Sequence, residues 1–309
     1  MTTRISSISS IALVLVAFAA ACGGGGGEGG GGVITADGSS TVGPFVTRAA
    51  ENFKAAEDVD VTVGISGTGG GFERFCAGET DLSNASRAIS EAEKALCTEA
   101  GVEFLELRVA TDALTNVVNA ENDWATCLTV EQLSSIWAPG SEVKNWSQVD
   151  PSFPDVALKL YGAGTDSGTF DYFTDVINGE EGASRTDYQA TEDDNVTVQG
   201  VSGDRGALGY FGFSYFEENQ DRLKALEVDG GNGCVAPSAL AAQNGTYAPL
   251  ARPLFVYVKR SSFEEKAPVR SFMTFMLDNN TSIAEAAQFV PLSDDQIAEE
   301  RAKLEAAGA

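Results

Sequence analysis

The chain carries 45 acidic against 20 basic residues over a length of 309, giving a net charge of −25, and it contains no histidine. Such a polyanion lacks the basic face that nucleic acids and anionic membrane surfaces require, and without imidazole there is no Ser-His-Asp or Cys-His catalysis and no histidine-ligated metal. With 43% hydrophobic residues and 17 Phe, it is otherwise composed as a globular protein long enough for two packed domains.

Met1 to Ala21 has a cationic start at Arg4, an apolar run from Ile11 to Ala20 and small residues before Cys22. The run is shorter than the roughly 20 apolar residues of a bilayer span, so the segment reads as a secretory signal. Ala19-Ala20-Ala21-Cys22 resembles a bacterial lipoprotein cleavage box, which makes Cys22 the expected lipidated N-terminus; ordinary cleavage would leave an unpaired thiol there. Residues 23–32 are glycine except for Glu28, a tether reaching on the order of 15–20 Å from a surface.

From Val33 onward, strands and helices alternate. Val33 to Thr35 is a short strand, and Pro44 to Ala56 shows a helical period at Phe45, Val46, Ala49, Ala50 and Phe53. Val59 to Ile65 reads as a strand, Gly71 to Ala77 as a helix, and Thr80 to Ala85 as a short extended segment. A helix over Ser90 to Glu99 begins with the capping box Ser90-x-x-Glu93. Val102 to Leu107 and Leu114 to Val118 read as two strands, Thr129 to Trp137 as a helix capped by Thr129, Val156 to Tyr161 as a strand and Thr169 to Ile177 as a helix. Val196 to Val201 and Ala207 to Phe213 flank a turn; Leu254 to Lys259 is the last strong strand, and Phe263 to Leu277 and Asp294 to Ala307 are helices. This alternation predicts an α/β fold.

Setting Cys22 aside, Cys76, Cys97, Cys127 and Cys234 remain. An even number in an exported chain points to two disulfides, for which three pairings exist. Cys76–Cys97, which closes a short local loop, and Cys127–Cys234 are favoured. No spacing is Cys-x-x-Cys, so zinc has little support, and neither a metal nor a cofactor is implied.

Three Gly/Ser/Thr loops each follow a strand-like run and precede a helix: Asp37-Gly38-Ser39-Ser40-Thr41, Ser66 to Gly71, and Tyr161 to Phe170 with Asp166-Ser167-Gly168-Thr169 at its centre. A helix N-terminus carries unsatisfied N–H groups and partial positive charge, and glycine lets a ligand approach the main chain. One such loop merely caps a helix; three in one chain point to an anion site.

These loops, with Asp81-Leu82-Ser83-Asn84-Ala85-Ser86-Arg87 and Gly206-Ala207-Leu208-Gly209-Tyr210, occur in the order seen in the phosphate-binding proteins of bacterial ABC phosphate importers, and the chain from Val33 onward resembles this PstS family. The resemblance implies a periplasmic-binding-protein-like fold of type II, with residues 33–115 plus 252–309 as a first domain, 116–251 as a second, and a two-strand hinge between them. One favoured disulfide falls in each domain. Inorganic phosphate is the implied ligand, held between the domains by Ser40 and Thr41, Ser66 or Thr68, and Ser167, Gly168 and Thr169. The implied partners are the permease subunits of an importer, with the membrane touched only through the lipid, and the protein is expected to be an extracytoplasmic monomer.

Two positions depart from the family pattern. Ala163 stands where many members have Arg, and Arg87 where many have an acidic residue that accepts a ligand proton. The exchange makes Arg87 the expected bidentate partner of the anion, unless it pairs with a carboxylate such as Glu91. Asp166 is the candidate for the proton-accepting role, or else an N-cap. Other oxyanions (sulfate, arsenate, molybdate, a phosphonate) are alternative ligands. A phosphatase or esterase using Ser167 is the alternative of a different class, but no His base and no Gly-x-Ser-x-Gly elbow accompanies that serine.

Overall fold

The structure is a computed structural model that describes residues 33–308 except Asp166. The signal segment, Cys22, the glycine tether and the roles assigned to Asp166 therefore lie outside the described residues. The chain begins with β1 (Ile34–Gly38), α1 (Gly43–Glu57), β2 (Val61–Val63), α2 (Gly67–Cys76), β3 (Leu82–Ala85) and α3 (Glu91–Glu99). In α1 the residues picked out by helical period, Phe45, Val46, Ala49, Ala50 and Phe53, are all buried, as is Gly43, and Pro44 occupies the first turn, where it breaks no helical hydrogen bond. α3 carries the predicted capping box: the Glu93 N–H donates to Ser90 Oγ at 3.3 Å and the Ser90 N–H to Glu93 Oε2 at 2.8 Å. α2 begins four residues before the predicted helix, because Ser66 is its N-cap and the glycine run forms its first turn.

β4 (Phe104–Asn119) is one strand of 16 residues where the sequence suggests two. Next come β5 (Cys127–Thr129), α4 (Val130–Trp137), α5 (Trp146–Val149), β6 (Lys159–Ala163), α6 (Gly168–Asn178), β7 (Gln189–Thr191), α7 (Asp194–Ser202) and β8 (Ala207–Gly212). α8 (Phe213–Glu218), β9 (Leu223–Ala225), β10 (Glu227–Asp229), β11 (Cys234–Val235) and α9 (Ala239–Gln243) lead to β12 (Ala251–Lys259). The chain ends in α10 (Arg260–Glu265), α11 (Ala267–Asp278), α12 (Asn280–Ala286) and α13 (Asp294–Gly308). The single helix predicted over Phe263 to Leu277 is broken at Lys266, since Pro268 has no N–H to continue the ladder and fits only in the first turn of α11.

One sheet runs β2-β1-β3-β12-β4-β8-β6-β7, with β9 also on β4; β11-β10-β5 form a second, smaller sheet. The first half of β4 pairs antiparallel with β12, and its second half, from Leu114, pairs with β8 and β9. Two large hydrophobic cores lie along this sheet. One contains Phe45, Phe53, Leu107, Val256, Phe272 and Met273, the other Leu133, Trp137, Trp146, Phe173, Tyr210 and Leu226. β4 leads the chain from the first core to the second and β12 brings it back. The disulfides are the favoured pair: Cys76–Cys97 joins the end of α2 to α3, and Cys127–Cys234 joins β5 to β11. Cys127 and Cys234 also sit close to Glu227, but their sulfurs are bonded to each other and are not thiolate ligands.

Candidate functional site

The loop from Gly38 to Thr41 is shaped by a buried carboxylate. Asp37 accepts from the Gly38 N–H at 2.7 Å and the Ser66 hydroxyl at 2.7 Å, and it pairs with Arg74 of α2. Gly38 has φ +139°, and a Cβ there would lie 2.2 Å from the Asn84 carbonyl oxygen, so only glycine lets this turn pass β3. The turn delivers Ser39, Ser40 and Thr41 to the N-terminus of α1, where Val42 is the N-cap and offers no side-chain cap to the first-turn N–H groups.

Two adjoining cavities open there. The larger, about 370 Å³, is lined by Ser39, Ser40 and Thr41, the first turn of α2 (Gly67 to Gly69), Ser86 and Arg87 after β3, and, from the other side, Asp171, Tyr172, Asp175, Glu181 and Arg252. The smaller, about 190 Å³, shares Ser40 and Thr41 and adds Asp112, Ser167, Gly168, Thr169 and Asp194. The N-termini of α1 and α6 meet between them: a Cβ on Gly168 would stand 2.8 Å from Thr41 Oγ1. Ser167 caps α6 by accepting from the Thr169 N–H at 3.2 Å.

Most of the sequence-predicted residues are brought together here, namely Ser40, Thr41, Thr68, Ser167, Gly168 and Thr169. Thr68 Oγ1 accepts from the Ser86 N–H at 3.2 Å and lies 3.1 Å from Ser86 Oγ, which ties the start of α2 to the end of β3. Ser66 does not line either cavity, because its hydroxyl turns back to Asp37. Arg87 lines the larger cavity, but its fork is occupied: Nη1 and Nη2 donate to Glu93 Oε2 and Oε1, each at 2.8 Å. The partner is Glu93 and not Glu91, which pairs with Lys94. Burial alone would raise the Glu93 carboxyl, but Arg87 and Ser90 outweigh it and hold the group at about 2.

The second arginine lining the larger cavity, more buried than Arg87, is one the sequence reading missed. Arg252, at the start of β12, donates through Nε to Asp112 Oδ2 at 3.2 Å and through Nη2 to Thr41 Oγ1 at 3.1 Å. Its guanidinium stacks on Tyr172 of α6, 3.8 Å from the ring centroid, while the Tyr172 hydroxyl donates to the Pro249 carbonyl at 2.6 Å. One side chain thus touches the loop before α1, α6 and β4. Burial pushes the Asp112 carboxyl up against the opposing pull of Arg252. Burial likewise raises Asp171, helped by Glu181, and lifts Asp194 to about 6, helped by Asp193 and Glu192. A signal for the missed pair was present, since Asp112 follows Val109-Ala110 and Arg252 precedes the apolar run Leu254 to Val258, and a charge that is buried beside such a run demands a partner.

Hydroxyls, the uncapped N-terminus of α1 beside the Ser167-capped start of α6, and one fixed guanidinium make a donor shell suited to an oxyanion. Among the described residues no base is hydrogen-bonded to Ser167 Oγ, which serves as an N-cap.

The sequence matches the profile of a PBP superfamily domain over residues 25–280. It is 51% identical over 264 residues to protein SphX of Synechococcus elongatus, covering 84% of this chain and 77% of that protein. It is 39% identical over 274 residues to the phosphate-binding protein PstS of Staphylococcus saprophyticus, covering 88% and 84%. Among solved structures, a possible phosphate binding protein from Planctomyces limnophilus superposes with a TM-score of 0.84 at 43% identity, covering 89% of this chain and 98% of that one.

Proposed function

Because the chain belongs to the PBP superfamily, within the PstS family of phosphate-binding proteins, we propose that it captures inorganic phosphate in the cleft between its two cores and delivers it to the permease subunits of an ABC importer. It is a substrate-binding protein, not an enzyme. The observation that carries the reading is the meeting of the α1 and α6 N-termini at Thr41 and Gly168, with Arg252 beside them. Ser40, Thr41 and Thr68 hold the anion from one side, and Ser167, Gly168 and Thr169 close on it from the other. Residues 33–115 plus 252–309 act as one lobe and 116–251 as the second, hinged on β4 and β12. The protein works as a monomer outside the cytoplasm, anchored by lipid on Cys22 and held off the membrane by the glycine tether.

Titration calorimetry with phosphate, sulfate, molybdate and a phosphonate tests the ligand. Phosphate should bind at least about a hundredfold more tightly than the rest, a gap of about 2.7 kcal/mol. A tighter fit for another oxyanion overturns the assignment. The anchor is tested separately: Cys22→Ser should release the protein from membranes without changing phosphate affinity, and wild-type protein found free of lipid contradicts it.

A further inference from the structure

The two stretches proposed as lobes also meet behind the cleft, at the last residue of α9. The carbonyl that ends a helix has no N–H of its own helix to accept from. That of Gln243 accepts instead from Arg108 Nη2 of β4 at 3.2 Å and from Gln296 Nε2 of α13 at 3.1 Å, while Gln243 Nε2 donates to the Pro291 carbonyl at 2.8 Å. The partners are themselves held. Gln296 Oε1 accepts from the Ser293 N–H at 3.1 Å, which turns its amide N–H toward Gln243, and Arg108 Nη2 also donates to Thr111 Oγ1 at 2.5 Å. Ala242, beside Gln243, is buried with Phe213 from its own stretch and with Ala113 and Val290 from the other. Thr111 and Asp112 are neighbours in β4 and point to opposite faces, and Asp112 lines the smaller cavity, so these contacts lie on the reverse face of the strand. One segment joins the two faces: Gln288 and Phe289 line the smaller cavity, Val290 exchanges both backbone hydrogen bonds with Thr111, and Pro291 receives Gln243.

We propose that Gln243 is a positioning residue for phosphate binding: with Arg108, Pro291 and Gln296 it forms a clasp behind β4 that favours the arrangement in which the starts of α1 and α6 meet, and so sets affinity from outside the cleft. This role rests on the phosphate-binding reading above and on its hinge at β4 and β12. Thr41 and Gly168 stand together across the cleft while the clasp is made, so both belong to one arrangement of the lobes. Swinging the lobes apart at the cleft moves the reverse face in the opposite sense. Hydrogen bonds are directional, and Gln243 then loses its partners on β4, on α13 and at Pro291. Bonds made only in the closed arrangement add to its population, and a protein that rests open binds more weakly in proportion as that population falls. Each is a neutral or singly charged hydrogen bond at a half-buried site, so losing one changes affinity several-fold and does not abolish binding.

The test measures inorganic phosphate binding by titration calorimetry and phosphate release by stopped flow, on the whole protein and two variants. Gln243→Ala removes the donor to Pro291. Gln296→Glu removes the donor to the Gln243 carbonyl while keeping the oxygen that accepts from Ser293. Each should weaken phosphate about fivefold and the double variant about twentyfold, through faster release with association near the parent's rate. X-ray scattering of the variants at saturating phosphate should match the wild type, because bound phosphate still closes them. A purely structural role for Gln243 would lower the melting temperature of the phosphate-free protein and leave affinity at the parent's value, and that result overturns the proposal. Tighter binding by either variant also overturns it, since the clasp would then favour the open form. If Gln243→Ala does not fold, Gln296→Glu decides by the same criteria. A wild type that binds no phosphate contradicts the phosphate reading, and one whose scattering ignores phosphate contradicts the hinge. Variants with parental affinity, in a wild type that binds and closes, refute the clasp alone.

Discussion

Arg87, which the sequence casts as the partner of the anion, gives its fork to Glu93, while Arg252 lines the same cavity and bonds Asp112 and Thr41. Arg87 secures Glu93 and through it the start of α3, so Arg87→Ala should leave phosphate affinity within about tenfold of the parent while lowering stability by about 2 kcal/mol, because Glu93 keeps its bonds from Ser90 but is left buried without its counter-charge. The pH dependence has a definite sign. Glu93 falls from 4.5 to about 2 on folding, so its contribution is complete above pH about 4.5 and is lost as the pH drops toward about 2. Urea unfolding at pH 5 and pH 3 should differ by on the order of 2 kcal/mol from this group, and Glu93→Gln should shrink the difference; an unchanged difference removes Glu93 from the account. That Ser40, Thr41, Thr68, Ser167, Gly168 and Thr169 would lie around one cleft was legible because each sits in a local strand-loop-helix pattern. Asp112 and Arg252 were not, because the bond that defines them joins residues 140 apart in sequence.

Among the elements, those announced by local chemistry came through. The capping box of α3, the Thr129 cap of α4 and the apolar stripe of α1 stand where the sequence places them. The sequence leaves a gap between the strands ending at Leu107 and starting at Leu114, but in the sheet Thr111 and Asp112 in that gap pair with β12 and β4 runs through. The glycine loop of residues 66–71 turned out to be the cap and first turn of α2, since helix propensity is overridden by packing against β1 and β3. At α6, Gly168→Ala tests the close approach to α1: the added Cβ should press on Thr41 Oγ1 and weaken phosphate binding about tenfold or more. Thermal stability should hold or rise slightly, since Ala suits a helical position. Affinity equal to the parent would mean that the two helix starts do not close on a shared ligand. The disulfides close loops with sequence separations of 21 and 107, so reductant should lower the melting temperature by several degrees and chelator should leave it unchanged.

On the scale of the whole molecule, two cores share one sheet whose strands change partners partway along β4. If β4 and β12 act as the hinge, saturating phosphate should reduce the radius of gyration seen by X-ray scattering by about 1 Å, a closure within the usual range for hinged domains. Identical curves with and without ligand argue for a cleft that is closed beforehand. The alternation of strands and helices fixed the fold class in advance. The sheet order could not be read locally, because β12 comes to lie between β3 and β4 from far along the chain.

That insertion sets an order of assembly. A polypeptide synthesised from its N-terminus has made β3 and β4 long before β12 exists, and the two cannot be bridged until residue 259 has emerged. Residues 114–250, by contrast, form a continuous stretch that holds the second core and its disulfide. The middle of the chain is therefore complete while its beginning still waits for its end, and a nascent chain stopped at residue 250 presents two open strand edges to any neighbour.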